Sequence, residues 1–238
     1  MNIVPFSKEL QGDDAVKIIA KIYNGFESKF GVPRQSGIAD TVKSEIVFES
    51  TYRNPDAVRG LEDFSHIWLI WNFSECERDK FSPTVRPPRL GGNKRVGVFA
   101  SRSPYRPNPI GLTVVKLEKI TFDEKRGPVL TVTGADLMNG TPIYDIKPYL
   151  PKFDSIPSAV GGFADDTAAY SAEVEINEKA ASAVDETTLA EIQKLLEHDP
   201  KPSYKNEDGR VYGMCYSGYE IKFTYENGKI TVTEIVNE

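Results

Sequence analysis

The chain has 238 residues, 39% hydrophobic and 27% charged, which is ordinary for a soluble globular protein of one large domain or one domain with a small appendage. No apolar run approaches the roughly 20 residues that span a bilayer, and the first residues lack the order of a signal peptide, so we expect a cytoplasmic protein. Two cysteines and two histidines are too few for a disulfide framework or the usual zinc site, so we expect chemistry without a metal.

The first two thirds of the chain predict short strands separated by polar turns. A short helix is predicted between Tyr52 and Leu61, ending at Gly60. The predicted strands cover residues 16–23, 44–48, 64–73, 95–100, 111–120, 128–133 and 143–146. Because these strands do not alternate with helices, the order argues against a doubly wound sheet and predicts a β-barrel. Within the central apolar strand, Trp68 and Trp71 are expected to be core residues.

The composition changes near residue 154, and beyond it the pattern predicts a small α+β domain. A helix is expected over residues 187–198, with Asp185 or Glu186 near its N-cap. The residues after 210 predict a three-stranded meander with a hairpin turn at Asn227-Gly228. The whole chain is therefore predicted to be mainly β, with a β-barrel domain over residues 1–155 and a small α+β domain over residues 156–238.

Basic side chains are concentrated in one stretch, although the net charge of the chain is −6. No Asp or Glu interrupts this stretch, whose members are Lys80, Arg86, Arg89, Lys94, Arg95, Arg102, Arg106 and Lys116. A locally basic surface attracts phosphates while the acidic remainder keeps the protein soluble. The alternative interpretation is a solvated basic face with no partner.

Four polar loops rich in proline and glycine accompany the predicted strands, at residues 33–35, 86–93, 102–108 and 136–141. Loops at strand ends are where binding residues concentrate, although prolines and glycines also serve merely to turn the chain. No phosphate-binding loop, dinucleotide glycine fingerprint or nucleophile elbow is present in the sequence. We therefore interpret the four loops as a candidate binding site of a less common kind.

The third loop lies in the stretch GVFASRSPYRPNPIG, residues 97–111, whose first four residues predict a buried strand. Its prolines fix φ and push the preceding residues towards extended geometry, so the loop is expected to be stiff. Arg102 and Arg106 suit bidentate recognition of a carboxylate or phosphate, and Tyr105 is suited to stacking on a base.

Long stretches of the sequence resemble the TrmO family, also called TsaA-like or YaeB-like. They are PRQSG (33–37), AVRGLEDFSHIWLIW (57–71), PTVRPPRLGGNKRVGVFASRSPYRPNPIGLTVVKL (83–117) and NGTPIYDIKPYLP (139–151). The resemblance implies a homodimeric tRNA methyltransferase that uses S-adenosylmethionine and a β-barrel instead of a Rossmann fold. It also implies that the methyl group goes to N6 of threonylcarbamoyladenosine beside the anticodon.

Site residues follow from the resemblance and from the convergence of the polar loops. The expected cofactor-binding residues are Pro33, Arg34, Gln35, Ser74, Glu75, Arg102, Leu112, Asp136, Leu137, Met138 and Asn139. The expected tRNA-binding residues are Arg86, Arg89, Lys94, Arg95, Tyr105 and Arg106. The candidates for gripping the N6 hydrogen during catalysis are Asp136, Asn139, Asn108 or a loop carbonyl.

Two positions depart from the pattern that the resemblance implies. Tyr23-Asn24-Gly25 stands where relatives often have Arg-Ser-Pro, and Asn139 stands where bacterial relatives commonly have a second aspartate. The amide at 139 weakens any role of that position as a general base. It is also the one feature that favours the alternative function, a non-catalytic barrel that binds RNA or a nucleotide.

Overall fold

A computed structural model describes residues 16–76, 80–87, 90, 94–167, 171–198 and 209–237. Within these residues the strands are β1 (Ala20–Tyr23), β2 (Lys43–Phe48), β3 (His66–Asn72), β4 (Thr84–Val85), β5 (Val96–Gly97), β6 (Ile110–Asp123), β7 (Gly127–Thr133), β8 (Pro142–Pro148), β9 (Glu173–Ile176), β10 (Val211–Tyr216), β11 (Tyr219–Glu226) and β12 (Lys229–Asn237). The α-helices are α1 (Pro151–Asp154), α2 (Glu178–Ala181) and α3 (Glu186–Glu197). Turns of 3-10 helix occupy Ser50–Tyr52, Pro55–Val58, Leu61–Asp63, Val98–Ala100 and Gly162–Thr167. No helix among the described residues is long and apolar enough to cross a membrane.

Six of these strands close into an antiparallel barrel in the order β1-β2-β7-β6-β3-β8, with β8 pairing back onto β1. Side chains alternate between the two faces of each strand, and in β3 Ile67, Leu69 and Trp71 are buried. The expectation that Trp68 is also a core residue is wrong, because Trp68 is half-buried on the other face, where its indole Nε1 donates to Oδ2 of Asp154 at 3.0 Å. Most of the inward residues that fill the barrel are branched aliphatic residues, and buried threonines lie among them. The predicted fold class, a mainly β barrel followed by a small α+β region, is confirmed.

The short helix predicted between residues 52 and 61 is confirmed only as one turn of 3-10 helix over Pro55–Val58, with separate turns of 3-10 helix over Ser50–Tyr52 and Leu61–Asp63 on either side. Asn54 caps the middle turn, its side-chain oxygen accepting the backbone N–H of Asp56 at 3.0 Å. Gly60 then adopts φ +82°, a left-handed conformation that a right-handed helix cannot continue through. The chain therefore bends at Gly60 before it enters β3.

The strand predicted over residues 95–100 is also wrong in its second half. β5 pairs only with the two-residue β4, so its ladder ends at Gly97. Val98–Ala100 form a turn of 3-10 helix instead, which leaves Phe99 73% exposed. The backbone N–H of Ser101 donates to the carbonyl of Val98, and this bond closes the turn.

The C-terminal sheet has the order β10-β11-β12-β9, and α3 packs against it. Its first three strands are the predicted meander, with Asn227 and Gly228 both at positive φ in the turn, as a tight hairpin requires. The N-cap of α3 is Asp185, whose carboxylate accepts the N–H groups of Thr187 and Thr188. The strand β9 was not predicted, and it pairs in parallel with β12.

Two separate clusters of buried side chains form the interior, one in the barrel and one under the C-terminal sheet. The second cluster includes residues from the connection between β1 and β2, which we call the 24–42 loop. Phe26, Ala39 and Val42 of this loop pack with Ile192 of α3 and Phe223 of β11. The division of the chain near residue 155 stays a prediction, and this loop is the part of the first segment that lies in the second core.

Candidate active site

Three connections emerge at the same end of the barrel, which we call the mouth. They are the 24–42 loop, residues 73–109 between β3 and β6, and residues 134–141 between β7 and β8. In an antiparallel barrel every second strand ends where its neighbours begin, so these three connections must share one end. Three of the polar loops singled out in the sequence, residues 33–35, 102–108 and 136–141, belong to them, as do the described residues 86, 87 and 90 of the loop 86–93, so the topology brings these residues to one end of the barrel.

A chain of hydrogen bonds runs from the barrel interior to a carboxylate at the mouth. The indole Nε1 of Trp71 on β3 donates to Oγ1 of Thr113 on β6 at 2.9 Å. The Thr113 hydroxyl donates in turn to Oδ1 of Asp136 at 2.7 Å. Trp71 is 5% exposed and Thr113 is 2% exposed, so water does not compete for these bonds. The Asp136 carboxylate is therefore fixed from below by the barrel wall.

The charge of Asp136 is set by opposing effects. Burial raises the pKa of this carboxyl above its ordinary value, since the ionised form loses water. The hydroxyl of Thr113, the backbone N–H of Asp136 and the positive charge of Arg102 act against this rise. The result is a carboxylate that binds a proton more readily than an exposed aspartate, within electrostatic reach of Arg102.

Arg102 links two of the three connections across the mouth. Its Nη1 donates to the side-chain oxygen Oε1 of Gln35 at 2.9 Å, and both residues are exposed. Its charge also reaches Asp136. The structure thus brings together Gln35, Arg102 and Asp136, three of the predicted cofactor-binding residues from three different loops. We call these residues the mouth triad.

The loop that carries Arg102 is braced by its own bonds. Nη1 of Arg106 donates to the carbonyl of Ser101 at 3.0 Å, so this guanidinium spans the loop. The N–H of Phe73, just after β3, donates to the carbonyl of Pro109 at 2.8 Å. The proline-rich stretch is therefore tied to β3 at its far end, in agreement with the stiffness expected from its composition. Asn108 is exposed, and its carbonyl accepts the N–H of Ile110 at 2.7 Å.

The two positions that depart from the family pattern contact each other. The side-chain oxygen of Asn139 accepts the backbone N–H of Asn24 at 3.2 Å. The Asn24 amide donates to the carbonyl of Leu137 at 3.0 Å and to Oγ of Ser44 at 3.3 Å. Asn139 thus fastens the end of β1 to the 134–141 connection, which is a structural use for an amide at this position.

The other predicted cofactor-binding residues lie around the triad to different degrees. Leu137 is fully buried in the barrel core, so only its backbone faces the mouth. Leu112 is 56% exposed on the face of β6 opposite to Thr113, so its side chain points away from Asp136. Met138 is half-buried, whereas Ser74 and Glu75 are exposed just after β3, where the Lys29 ammonium donates to the carbonyl of Glu75.

Pro33 and Arg34 do not lie with Gln35 in the triad. Together with Ile38 they line a small crevice against Leu195 and His198 at the end of α3. Pro33 is buried and Arg34 is half-buried. Of the three consecutive residues in this motif, only Gln35 is placed by the structure in contact with Arg102.

The residues predicted to bind tRNA are mostly exposed. Arg86, Lys94 and Arg95 are exposed near the short sheet of β4 and β5, and Nη1 of Arg95 donates to Oγ1 of Thr84 at 3.2 Å. Tyr105 is 37% exposed. Arg89 lies outside the described residues. Arg106 is half-buried and engaged with its own loop, so its contact is internal in this structure.

Sequence reasoning missed Thr113 and assigned Trp71 only to the core. The sequence feature that could have indicated a role for Thr113 is a polar residue at an inward position of β6, between Gly111 and Val115. Gly111 belongs to the same arrangement, since a Cβ there would lie 2.2 Å from the Trp71 ring. The glycine lets the indole lie flat against β6, where its N–H meets Thr113.

The mouth combines the Asp136 carboxylate, which can accept a proton, with exposed loop backbone and the Arg102 guanidinium, which has further N–H donors to bind an anion. Among the described residues no three His, Cys, Asp or Glu side chains lie together as metal ligands do. Such a set suits the binding of a small charged molecule and the transfer of a group to a nitrogen whose hydrogen Asp136 accepts.

Comparison with known proteins agrees with this chemistry. The family model described as the tRNA-methyltransferase O N-terminal domain matches residues 21–155, and the TrmO C-terminal domain model matches residues 168–238. The tRNA (adenine(37)-N6)-methyltransferase of Escherichia coli is 38% identical over 213 residues, covering 86% of this chain and 90% of the relative. A Pseudomonas aeruginosa relative named as an S-adenosylmethionine-dependent methyltransferase is 39% identical, covering 89% and 92%. The crystal structure of TrmO from P. aeruginosa superposes with a TM-score of 0.77 at 31% identity, covering 98% of this chain and 100% of that chain.

Proposed function

Because the chain belongs to the tRNA-methyltransferase O family, we propose that it transfers a methyl group from S-adenosylmethionine to N6 of adenosine 37 in tRNA. The observation that carries the proposal is the mouth triad, in which Thr113 holds Asp136, Gln35 accepts a hydrogen bond from Arg102, and the positive charge of Arg102 acts on Asp136. We further propose that the acceptor is N6-threonylcarbamoyladenosine and that the enzyme works in the cytoplasm as a homodimer.

The residues of the mouth fit the methyl donor. The Arg102 guanidinium has five N–H donors and gives one to Gln35 in the bonds described, so it suits the carboxylate of the methionine moiety. The donor supplies a methyl group that its positive sulfur already activates, so the protein chiefly has to position the acceptor. We propose that Ser74, Glu75, Leu137, Met138 and Asn139 also contribute to the binding surface, whereas the side chains of Pro33, Arg34 and Leu112, which the sequence also predicts as cofactor contacts, lie away from the triad.

Asp136 is the proposed acceptor for the N6 hydrogen. The amides of Asn139 and Asn108 can accept a hydrogen bond but do not take up a proton at neutral pH. Asp136 has a carboxylate whose raised pKa makes it the stronger proton acceptor, and Thr113 fixes its direction. We infer that Asp136 first accepts a hydrogen bond from N6–H and then the proton, while N6 gains the methyl group.

The exposed basic residues near the mouth are proposed to contact tRNA. Arg86, Lys94 and Arg95 would neutralise phosphates of the anticodon stem-loop, together with Arg89, and Tyr105 would stack on an unpaired base. The basic surface around one barrel mouth is small compared with an anticodon stem-loop, so a dimer would offer the tRNA a larger binding surface. Light scattering tests this, since we expect twice the chain mass of 26.5 kDa.

The experiment that tests the function incubates the purified protein with S-adenosylmethionine and tRNA that carries threonylcarbamoyladenosine. We expect nucleoside mass spectrometry to show one added methyl group on that nucleoside, and none on tRNA without the threonylcarbamoyl group. If tRNA binds but no methyl group is transferred, the proposed activity is wrong and the non-catalytic RNA-binding alternative gains support.

A further inference from the structure

The turn between β10 and β11 grips the start of the 24–42 loop through its backbone. The N–H of Ser217 donates to the carbonyl of Gly25 at 2.9 Å. The N–H of Gly218 donates to the side-chain oxygen Oε1 of Glu27 at 3.1 Å. The approach is close, because a Cβ on Gly25 would lie 2.4 Å from Oγ of Ser217. The hairpin backbone therefore contacts the loop directly, once at the Gly25 backbone and once at the Glu27 side chain.

Aromatic side chains anchor the next part of the loop in the C-terminal core. The ring of Phe30 stacks on the ring of Phe223, with centroids 6.3 Å apart and planes 8° from parallel. The ring of Phe26 lies 5.5 Å from that of Tyr216. Phe26 is 1% exposed and Phe30 is half-buried, so the loop contributes apolar surface that the sheet covers.

The same loop is tied to the mouth on its other side. The N–H of Gly37 donates to the carbonyl of Gly134 at 3.0 Å, and the N–H of Asn139 donates to the carbonyl of Phe26 at 2.9 Å. Between these two ties Gln35 receives the bond from Arg102. The loop thus spans from the C-terminal core to the triad.

A long loop without strand or helix loses conformational entropy when one side chain is held in place. The ties to the barrel fix the loop at Phe26 and at Gly37, and the residues between them have their apolar contacts in the C-terminal core. We infer that the C-terminal sheet is a positioning element of the active site, which holds Gln35 against Arg102 by anchoring the loop through Phe30. This inference rests on the proposed function only for the identity of the ligand at the triad.

The test removes the anchor and compares it with a matched phenylalanine elsewhere. Phe30→Ala takes away the ring stacked on Phe223, and Phe30→Leu keeps an apolar side chain of intermediate size. Phe122→Ala is the control, since Phe122 is 64% exposed near the far end of β6, away from the mouth. For each variant, amide hydrogen exchange of residues 31–38, S-adenosylmethionine affinity by calorimetry and tRNA affinity by filter binding are measured.

We expect Phe30→Ala to speed exchange of residues 31–38 and to weaken S-adenosylmethionine binding by about tenfold, within the usual range of coupling between sites. The tRNA affinity should stay within about twofold, because the phosphate contacts lie on other loops. Phe30→Leu should recover most of the loss, and Phe122→Ala should match the wild type. Exchange in β11 and β12 reports whether the sheet itself stays folded.

The inference is overturned if Phe30→Ala leaves both the exchange of the loop and cofactor affinity unchanged, or if Phe122→Ala lowers affinity equally. It is also overturned if the sheet unfolds in Phe30→Ala and Phe30→Leu restores the sheet without restoring affinity. If the wild-type protein does not bind S-adenosylmethionine, the proposed function fails, whereas the exchange measurement still decides whether the sheet supports the loop.

Discussion

At the residue scale, Thr113 determines the direction of the hydrogen-bond chain that supports Asp136. A hydroxyl has one hydrogen, and because Trp71 donates to Thr113, that hydrogen is left for the carboxylate. The Trp71–Thr113 bond is buried and the Thr113–Asp136 bond is partly buried, so removing the hydroxyl would leave the buried indole N–H without a partner and would take one partner from Asp136. Thr113 therefore acts through Asp136 as a positioning residue.

Thr113→Val keeps the side-chain shape but removes the hydroxyl. We expect the free energy of unfolding to fall by about 1–3 kcal/mol, since the Trp71 N–H and the Asp136 carboxylate both lose a partner. The pKa of Asp136 should rise further, so the acid limb of the pH–rate profile should move to higher pH. Denaturant unfolding and a pH–rate profile measure these effects, with Thr113→Ser as the control that retains the hydroxyl. An unchanged acid limb would contradict the role given to this hydroxyl.

Asp136→Asn separates the proposed catalytic role of the carboxylate from its effect on stability. Because the folded state raises the pKa of Asp136, that group favours folding most at low pH and loses this contribution as pH rises through its folded pKa. The amide has no charge to bury, so at neutral pH we expect a melting temperature equal to or above that of the wild type. The difference should vanish at acid pH, where Asp136 is protonated. Methyl transfer should fall by about 10²- to 10⁴-fold, and normal transfer would exclude Asp136 as the acceptor.

Arg102 and Arg86 are expected to affect different steps. Arg102→Ala should weaken cofactor binding or methyl transfer by about 30- to 1000-fold, the loss of roughly 2–4 kcal/mol from a bidentate contact to an anion. Arg102→Lys should not restore it, since a point charge does not reproduce the guanidinium fork. Arg86→Ala should instead weaken tRNA binding and flatten its salt dependence. Methylation assays beside filter binding at several salt concentrations distinguish the two, and full activity of Arg102→Lys would contradict this role.

At the scale of elements, strands β3 and β6 meet at the mouth through a glycine and an indole. A Cβ at Gly111 would lie 2.2 Å from the Trp71 ring, and the ring is buried and cannot move out freely. Gly97 offers a comparison, because a Cβ there meets nothing within 4 Å. The register of this pair of strands, with Gly111 opposite Trp71, is therefore part of the site.

We expect Gly111→Ala to lower the free energy of unfolding by about 1–3 kcal/mol, as overpacking of a filled core does. Displacing the indole should also disturb the Trp71–Thr113–Asp136 chain, so methyl transfer should fall as well. Gly97→Ala should stay within about 0.5 kcal/mol of the wild type, as surface substitutions do. Denaturant unfolding with tryptophan fluorescence compares the two, and equal stabilities would show that the indole has room to shift.

Most barrel strands were predictable because buried strands leave a pattern in the local sequence, as the apolar run of β3 does. The partial failures at residues 52–61 and 95–100 arose where pairing partners or a left-handed glycine decide the structure. The strand β9 depends on a partner far along the chain, which a local pattern does not reveal. Likewise, the resemblance to the TrmO family identified Asp136 and Arg102 as candidate site residues. The hydrogen bond from Thr113 to Asp136 depends on how the barrel strands pair, which the sequence does not reveal.

At the scale of the whole molecule, the 24–42 loop packs in the C-terminal core and is hydrogen-bonded to the barrel, so the two cores should unfold together. Both tryptophans lie on β3, so tryptophan fluorescence reports on the barrel alone. We expect its thermal midpoint to coincide with that of the C-terminal sheet followed by amide exchange. Saturating S-adenosylmethionine should raise both midpoints together, since a ligand stabilises every part of the cooperative unit that binds it. Two well-separated midpoints would show that the loop does not couple the cores.

The anchoring of the 24–42 loop also has a consequence for synthesis on the ribosome. The barrel strands are synthesised before β10–β12, and β12 ends at Asn237. The barrel can therefore form before the C-terminal sheet that anchors the 24–42 loop has been synthesised. At roughly 5–20 residues per second, translation from residue 156 to residue 237 takes about 4–16 s. During that interval the side chains of Phe26 and Phe30 lack the C-terminal sheet that they pack against in the complete fold. We expect chaperones that recognise exposed apolar surface to bind the incomplete chain. A chain without β10–β12 should therefore bind the proposed cofactor, S-adenosylmethionine, more weakly than the complete fold does.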